Sequence, residues 1–192
     1  MLKTAFSIPF WQEQMPNFNL HRDSMIDAVY EFRDLFPQGE YKSNHAGYQS
    51  PKNLHHNQKF QSLFDFINLV AVESARQINL DGNIVLSEAW ANIHDSRQCM
   101  NHMHIHGGVF SGCFYLKVPN KAGRILFSNP GLNPMWQGLG LVKQPNQYTA
   151  ESTHYLPPEG TLILWPSYVP HGVETNDTDE TRITIAFNFY RE

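Results

Sequence analysis

The chain has 192 residues, of which 41% are hydrophobic and 13% aromatic, and these values are typical of one globular domain rather than of a disordered chain. Its net charge of −4 and the lack of any run of lysine or arginine argue against a nucleic-acid partner. No stretch approaches the roughly 20 apolar residues of a membrane span, and the N-terminus lacks the pattern of a signal peptide. The two cysteines, Cys99 and Cys113, are too few for a disulfide framework. We therefore predict a cytoplasmic protein.

Helical periodicity dominates the first third of the chain. Apolar residues recur at helical spacing from Asp23 to Phe36 and again from Phe60 to Ile78, which predicts two amphipathic helices. The segment between them, Tyr41 to Asn57, is rich in Asn, His, Gly and Ser and is predicted to be a loop.

Strands are predicted after the turn signal at residues 81–83. The candidate strands are Ile84–Ile93, Val109–Val118, Ile125–Phe127, Thr153–Leu156, Thr161–Trp165 and Arg182–Tyr190. The segment Asn129 to Gln147 contains three of the 12 prolines and predicts a long loop over the mouth of the sheet.

The last predicted strand alternates between polar and apolar residues. One face carries Arg182, Thr184, Ala186, Asn188 and Tyr190, and the other face carries only Ile and Phe. In a small barrel or sandwich, the polar face of such a strand can line a ligand cavity.

The spacing of several histidines indicates a candidate metal site. His102, His104 and His106 alternate within Asn101–Gly108, and His171 follows far downstream. Histidines at i and i+2 share one face of a strand, and imidazole is a common ligand of Fe, Zn, Cu and Ni. His104, His106 and His171 could therefore bind iron or form a three-histidine zinc site, with His102 as a competitor for one position. The alternative is that some of the ten histidines are surface or hydrogen-bonding residues that cluster by chance.

Arg182 and Thr184 could bind an acid beside that metal. A guanidinium with a hydroxyl two residues on can hold a carboxylate through charge-assisted hydrogen bonds. A keto acid could then be anchored at one end by Arg182 and chelate the metal at the other. Tyr115 could donate a further hydrogen bond, although a core position with a satisfied hydroxyl explains it equally well. Asn188 is a candidate because it shares the polar face.

Six segments together resemble one known family, the 2-oxoglutarate and Fe(II)-dependent oxygenases of bacteria and their phages, most of which have no assigned substrate. The segments are Trp90–Asn92, His104–His106, Ser111–Pro119, Phe127–Pro130, Pro166–Val173 and Arg182–Asn188. The resemblance covers about Asn83 to Tyr190, and Tyr41–Ser50 also resembles an upstream block of the family. One position departs from the wider superfamily, since His106 stands where a carboxylate is usual.

The resemblance implies a mainly β fold, a double-stranded β-helix or cupin-like jelly roll, with N-terminal helices against one sheet. It predicts a single domain over residues 1–192, with helical support from residues 1–82 and a jelly-roll core from residues 83–192. By the same resemblance His171 is the distal iron ligand and Arg182 holds the C5 carboxylate of 2-oxoglutarate.

The predicted protein is an Fe(II)- and 2-oxoglutarate-dependent dioxygenase that hydroxylates an unidentified substrate and releases succinate and CO2. Its predicted partners are 2-oxoglutarate and O2, with neither a nucleic acid nor a membrane expected, and the sequence leaves a homodimer open. Two alternatives differ in class. One is a cupin-like three-histidine metalloenzyme that does not use 2-oxoglutarate, and the other is a non-catalytic jelly-roll binding module.

Overall fold

A computed structural model describes residues 1, 4, 6–132 and 138–192 of the chain. The helices that lie wholly within the described residues are α1 (Phe18–Leu35) and α2 (Gln61–Gln77), and short 3-10 helices span Leu54–His56 and Gln58–Phe60. The strands are β1 (Trp11–Gln14), β2 (Asn44–His45), β3 (Tyr48–Gln49), β4 (Ile84–His94), β5 (Met100–His104), β6 (Phe110–Lys117), β7 (Ile125–Ser128), β8 (Ser152–Tyr155), β9 (Thr161–Pro166), β10 (His171–Val173) and β11 (Arg182–Arg191).

The strands form two antiparallel sheets. The larger sheet has six strands in the order β1-β9-β6-β11-β4-β3, and the smaller has five in the order β2-β5-β10-β7-β8. Strands that are distant in sequence lie side by side in both sheets, as in a jelly roll. The predicted double-stranded β-helix with N-terminal helices is confirmed.

Strand β11 separates two cores because its residues alternate. Its apolar side, with Ile185 and Phe187, packs in the main core together with helix residues such as Leu63 and Ile67. A second, smaller cluster contains Cys113, Tyr115, Ile125, Phe127, Ile163, Trp165 and Val169. The polar side of β11 lies toward this second cluster, where Thr184 pairs with Tyr115 and Ala186 with Cys113. Consequently Arg182, Thr184 and Asn188 are enclosed within the sandwich.

Several predicted element boundaries are corrected by the structure. Helix α1 begins at Phe18, five residues before the predicted start, and its cap residue Asn17 has a left-handed backbone. The predicted loop Tyr41–Asn57 in fact contains β2, β3 and a 3-10 helix, because pairing with β5 and β4 orders two-residue strands that have no periodicity of their own. In the predicted loop Asn129–Gln147, residues 129–132 and 138–147 contain no strand, and residues 133–137 lie outside the described residues.

Within the described part of the chain, neither helix combines the length and the apolar character needed to cross a bilayer. The two cysteines, Cys99 and Cys113, are both buried as free thiols.

We predict that Gly112 is required for the packing of β11. A Cβ atom at this position would lie 2.3 Å from the ring of its cross-strand partner Phe187 and 2.9 Å from the Ile163 carbonyl oxygen. Gly112→Ala should therefore lower the free energy of unfolding by about 1–3 kcal/mol, measured by urea denaturation. Adding Phe187→Leu should recover part of that loss. Gly107→Ala, where the new methyl group meets nothing within 4 Å, serves as the control, and equal losses in the two alanine variants would contradict the packing account.

Candidate metal centre and co-substrate cavity

Three histidines from different parts of the chain meet at one end of the smaller sheet. His104 ends β5 and lies directly opposite His171, the first residue of β10. His106 follows β5 by two residues, and its backbone N–H donates to the Ser167 carbonyl oxygen at 3.1 Å. One ring nitrogen from each histidine lies within 4.8 Å of the others. Because metal–imidazole bonds are about 2.1 Å long, small ring movements can bring all three onto one ion.

Backbone carbonyls orient two of the rings. His104 Nδ1 lies 2.6 Å from the His102 carbonyl oxygen, and His171 Nδ1 lies 3.0 Å from the Val169 carbonyl oxygen. An Nδ1–H that donates to a carbonyl leaves Nε2 with a free lone pair, which is the form of histidine that binds a metal. The arrangement of His104 and His171 therefore suits a metal ion.

Burial keeps the three imidazoles neutral. Burial is the main cause of a lowered pKa at all three residues: His104, His106, where the pKa falls to about 4, and His171, where it falls to about 3. Neighbouring histidines lower the pKa of His106 and His171 further. A histidine with a pKa below neutrality carries no proton at pH 7 that a metal would have to displace. These residues thus fit a divalent metal in both geometry and protonation.

His102, the predicted competitor, is exposed and does not belong to this group. Its carbonyl oxygen instead orients His104.

Arg182 is buried between the sheets with most of its hydrogen-bonding capacity unused. The residue is 1% exposed. Its Nη1 donates to Thr184 Oγ1 at 3.4 Å, whereas Nε and Nη2 have no partner among the described residues. The guanidinium carbon lies 5.5 Å from the centre of the Tyr115 ring. A buried cation without a counter-charge costs several kcal/mol of stability, so this position fits an anionic ligand.

The cavity between Arg182 and the histidines has further unpaired polar atoms around it. Its volume is about 50 Å³, and its walls include Asn92, Thr184 and Trp165. In its wall, Asn92 Oδ1 and Trp165 Nε1 are buried without hydrogen-bond partners among the described residues. The Tyr115 hydroxyl is also buried and unpaired among these residues; its ring lies beside the Arg182 guanidinium and is not part of the cavity wall. Burial also raises the pKa of Tyr115 well above its ordinary value, so its hydroxyl stays protonated and can donate a hydrogen bond. We call this space the inner cavity, and its chemistry suits a small polar ligand.

Asn188, another predicted co-substrate contact, already makes two hydrogen bonds. Its Oδ1 accepts from the Ser111 hydroxyl at 2.8 Å, and its Nδ2 donates to Glu88 at 2.8 Å. One amide hydrogen is left over, and contact with the co-substrate stays a prediction.

Sequence reasoning missed His94, which lies opposite Arg182 across the strand pair β4–β11. His94 is fully buried, and its Nε2 lies 3.1 Å from Asn101 Oδ1. Burial and, secondarily, the Arg182 charge lower the pKa of His94 to about 3. It shares the face of Asn92 on β4, and that alternation is the only sequence signal that could have found it.

Comparison with known proteins gives a family match. The model of a family described as "Putative 2OG-Fe(II) oxygenase" matches residues 88–188, just over half of the chain. No curated protein sequence is significantly similar to it.

Several solved structures have a similar fold. A prolyl-4-hydroxylase from Pseudomonas putida is 12% identical with a TM-score of 0.67, over 97% of this chain and 94% of that one. The α-ketoglutarate-dependent carbocyclase SnoK from nogalamycin biosynthesis is 10% identical with a TM-score of 0.69, over 95% of this chain and 79% of that one. The viral collagen prolyl hydroxylase from Paramecium Bursaria Chlorella virus-1, solved with 2OG, is 12% identical with a TM-score of 0.62, over 94% of both chains.

Buried neutral His94 should make the protein sensitive to acid. Its folded-state pKa of about 3 lies below the ordinary value of 6.5, so the unfolded chain takes up a proton that the folded chain does not. The corresponding stability is complete above pH 6.5 and falls as the pH drops toward 3. In His94→Gln, the free energy of unfolding should depend less steeply on pH between about 6 and 4, by up to about 1.4 kcal/mol per pH unit.

Urea unfolding at several pH values measures this slope, and the exposed His56→Gln provides the control. A His94→Gln slope equal to that of the parent protein would mean that His94 does not titrate as its environment implies.

Proposed function

The chain belongs to the family of 2OG-Fe(II) oxygenases and is an oxygenase that depends on Fe(II) and 2-oxoglutarate, and we propose that His104, His106 and His171 hold its iron. The support for this assignment is that the three ring nitrogens converge, that two rings are fixed with Nε2 free, and that all three rings are neutral. Facial coordination by three side chains leaves open positions for a chelating co-substrate and dioxygen.

The co-substrates are 2-oxoglutarate and O2. With iron and 2-oxoglutarate bound, O2 would be the oxidant: one of its oxygen atoms would enter succinate as 2-oxoglutarate loses CO2, and the other would be inserted into a substrate C–H bond. The protein contributes binding, orientation and the exclusion of water.

The observation that carries the co-substrate assignment is the buried, unpaired guanidinium of Arg182. A dicarboxylic keto acid can satisfy both ends of the inner cavity, with its far carboxylate on Arg182 Nε and Nη2 and its keto-acid end toward the histidines. In this proposal the Thr184 and Tyr115 hydroxyls add hydrogen bonds to the same carboxylate. Because these donors lie in a dry cavity, each one contributes more than it would in water.

Aromatic side chains shield the metal on its buried side. The Trp165 ring centre lies 4.8 Å and the Phe127 ring centre 6.2 Å from that of His171. They keep bulk water away from this side of the histidines, while His104 and His106 are only partly buried and leave the other side open. We propose that the primary substrate is hydroxylated from that open side.

The two alternatives explain less of the structure. A three-histidine metalloenzyme without a keto acid, or a binding module without metal, leaves the cost of burying Arg182 unexplained. The location in the cytoplasm, the homodimer, and the division into helical support over residues 1–82 and a jelly-roll core over residues 83–192 stay predictions.

Arg182→Ala should weaken 2-oxoglutarate binding while sparing the metal. Truncating one partner of a buried charge pair costs at least about 2 kcal/mol, which corresponds to roughly 30-fold in affinity. Fe(II) affinity should change less than about 3-fold, since Arg182 is not a ligand. Anaerobic calorimetry measures both, and succinate formation under air measures the resulting loss of 2-oxoglutarate turnover.

The control is Arg191→Ala, at the exposed end of the same strand. If Arg182→Ala leaves the affinity for 2-oxoglutarate unchanged, the assignment of the carboxylate to Arg182 is wrong.

His106 is tested by two substitutions. His106→Ala should weaken Fe(II) binding by about tenfold or more because it removes a ligand. His106→Asp should retain binding, because it supplies the carboxylate that is usual in such sites. The matched control is His102→Ala, which removes the neighbouring imidazole but keeps the carbonyl that orients His104. If His102→Ala weakens Fe(II) binding and His106→Ala does not, His102 rather than His106 is the metal ligand.

A further inference from the structure

A second cavity lies on the open side of the histidines. It has a volume of about 410 Å³, and its wall includes Lys42, Gln49, Lys52, Trp90, His104 and His106. Trp90, His104 and His106 also border the inner cavity, so the two spaces meet at the proposed metal. We call this second space the outer cavity. A molecule in it would be next to the iron without passing Arg182.

The outer cavity is lined by cations and hydrogen-bond donors. Among the described residues, its wall contains two lysines and no carboxylate. This local charge is opposite to that of the whole chain, whose net charge is −4. A cavity with this wall favours an anionic ligand.

The two lysines differ in how their charge is used. Lys52 Nζ donates to both carboxylate oxygens of Glu88, at 2.9 and 3.0 Å, and lies 5.2 Å from the centre of the Trp90 ring. Its charge is therefore matched within the protein. Lys42 Nζ has only a distant contact, 3.9 Å to Glu40, and its side chain is 59% exposed. Lys42 is thus the cation that remains available to a ligand.

Gln49 adds an uncharged hydrogen-bonding group to the wall of the outer cavity. The residue is 3% exposed and lines the outer cavity. Its backbone carbonyl accepts from the Glu40 N–H, but its side-chain amide makes no hydrogen bond with any described residue. Gln49 therefore offers both an amide donor and an amide acceptor to a ligand in the outer cavity.

The segment that carries these residues is held in place by both sheets. Asn44, 4% exposed, accepts from the Lys42 backbone N–H and donates to the carbonyl oxygens of Glu40 and Gly47. The Ser43 carbonyl accepts from the His102 N–H of β5, while β3 pairs with β4. Lys42 and Gln49 are therefore presented from a fixed backbone, so that little ordering is required when a ligand binds.

We propose that the primary substrate carries a negatively charged group, a carboxylate or a phosphate, which Lys42 and Gln49 bind in the outer cavity. This inference rests on the proposed function, because it is the metal on His104 and His106 that makes the outer cavity a reaction site. Three neutral ligands also leave the centre one unit more positive than two histidines and a carboxylate would, which favours an anion nearby.

The test is direct binding to the full chain loaded with Ni(II) in place of iron, to prevent turnover, and with saturating 2-oxoglutarate. Two matched pairs and one cation are titrated by calorimetry, each amino-acid probe with its α-carboxyl group blocked as an N-methylamide. The pairs are N-acetyl-aspartate N-methylamide against N-acetyl-asparagine N-methylamide and glycerol 3-phosphate against glycerol, and the cation is N-acetyl-lysine N-methylamide. In at least one pair, the anion should bind with a dissociation constant about tenfold or more below that of its neutral partner. The pair that responds distinguishes a carboxylate from a phosphate.

Lys42→Gln should reduce that preference by about fivefold or more, whereas Lys143→Gln, in an exposed segment away from the cavity, should leave it unchanged. The inference is overturned if neutral or cationic probes bind as well as the anions, if no anion binds at about 10 mM, or if the preference survives Lys42→Gln. Binding of 2-oxoglutarate is measured first. If 2-oxoglutarate does not bind, that result counts against the proposed function. The anionic, neutral and cationic probes are titrated whether or not 2-oxoglutarate binds.

Discussion

The structure depends on one buried guanidinium, that of Arg182. It begins β11, one of the two central strands of the larger sheet, is 1% exposed, and leaves Nε and Nη2 without a partner among the described residues. A protein that is only marginally stable cannot carry such a cost without compensation. In our proposal, a carboxylate in the inner cavity supplies it, and the same carboxylate fixes how far a keto acid reaches toward the histidines. The alternation of β11 follows from this requirement, since the polar face must enclose the ligand while the apolar face packs on the helices.

The histidines depend on pairing between distant strands. His104 and His171 meet because β5 and β10 pair antiparallel, and their carbonyl partners leave Nε2 free on each ring. His106 stands where a carboxylate is usual in related enzymes, so the protein supplies no negative charge as a metal ligand. Glu88, a carboxylate that interacts with His106, is hydrogen-bonded to Lys52 and Asn188. A divalent metal held by these three histidines would therefore form a more positive centre than one with a carboxylate ligand, and the two lysines in the wall of the outer cavity agree with a proposed anionic substrate.

Many of the strands and candidate site residues could be predicted from the sequence, and the others could not because they depend on contacts between distant residues. The strand Arg182–Arg191 was predicted to within one residue because its alternation is local, and the His104/His106 pair and Arg182 were proposed as site residues because their spacing is local as well. The strands β2 and β3 were missed because two residues have no period, and their order comes from pairing with β5 and β4. His94 and Gln49 were missed because their significance lies in contacts across strands, and no single-sequence pattern contains these.

The central claim is that one site binds iron and a keto acid together. Anaerobic addition of Fe(II) and then 2-oxoglutarate to the metal-free protein tests it most directly. The account predicts a visible charge-transfer absorption band that needs both components and saturates at one equivalent of each per chain. If both components bind by calorimetry and no such band develops, the keto acid does not chelate the metal, and the assignment of the two cavities is contradicted.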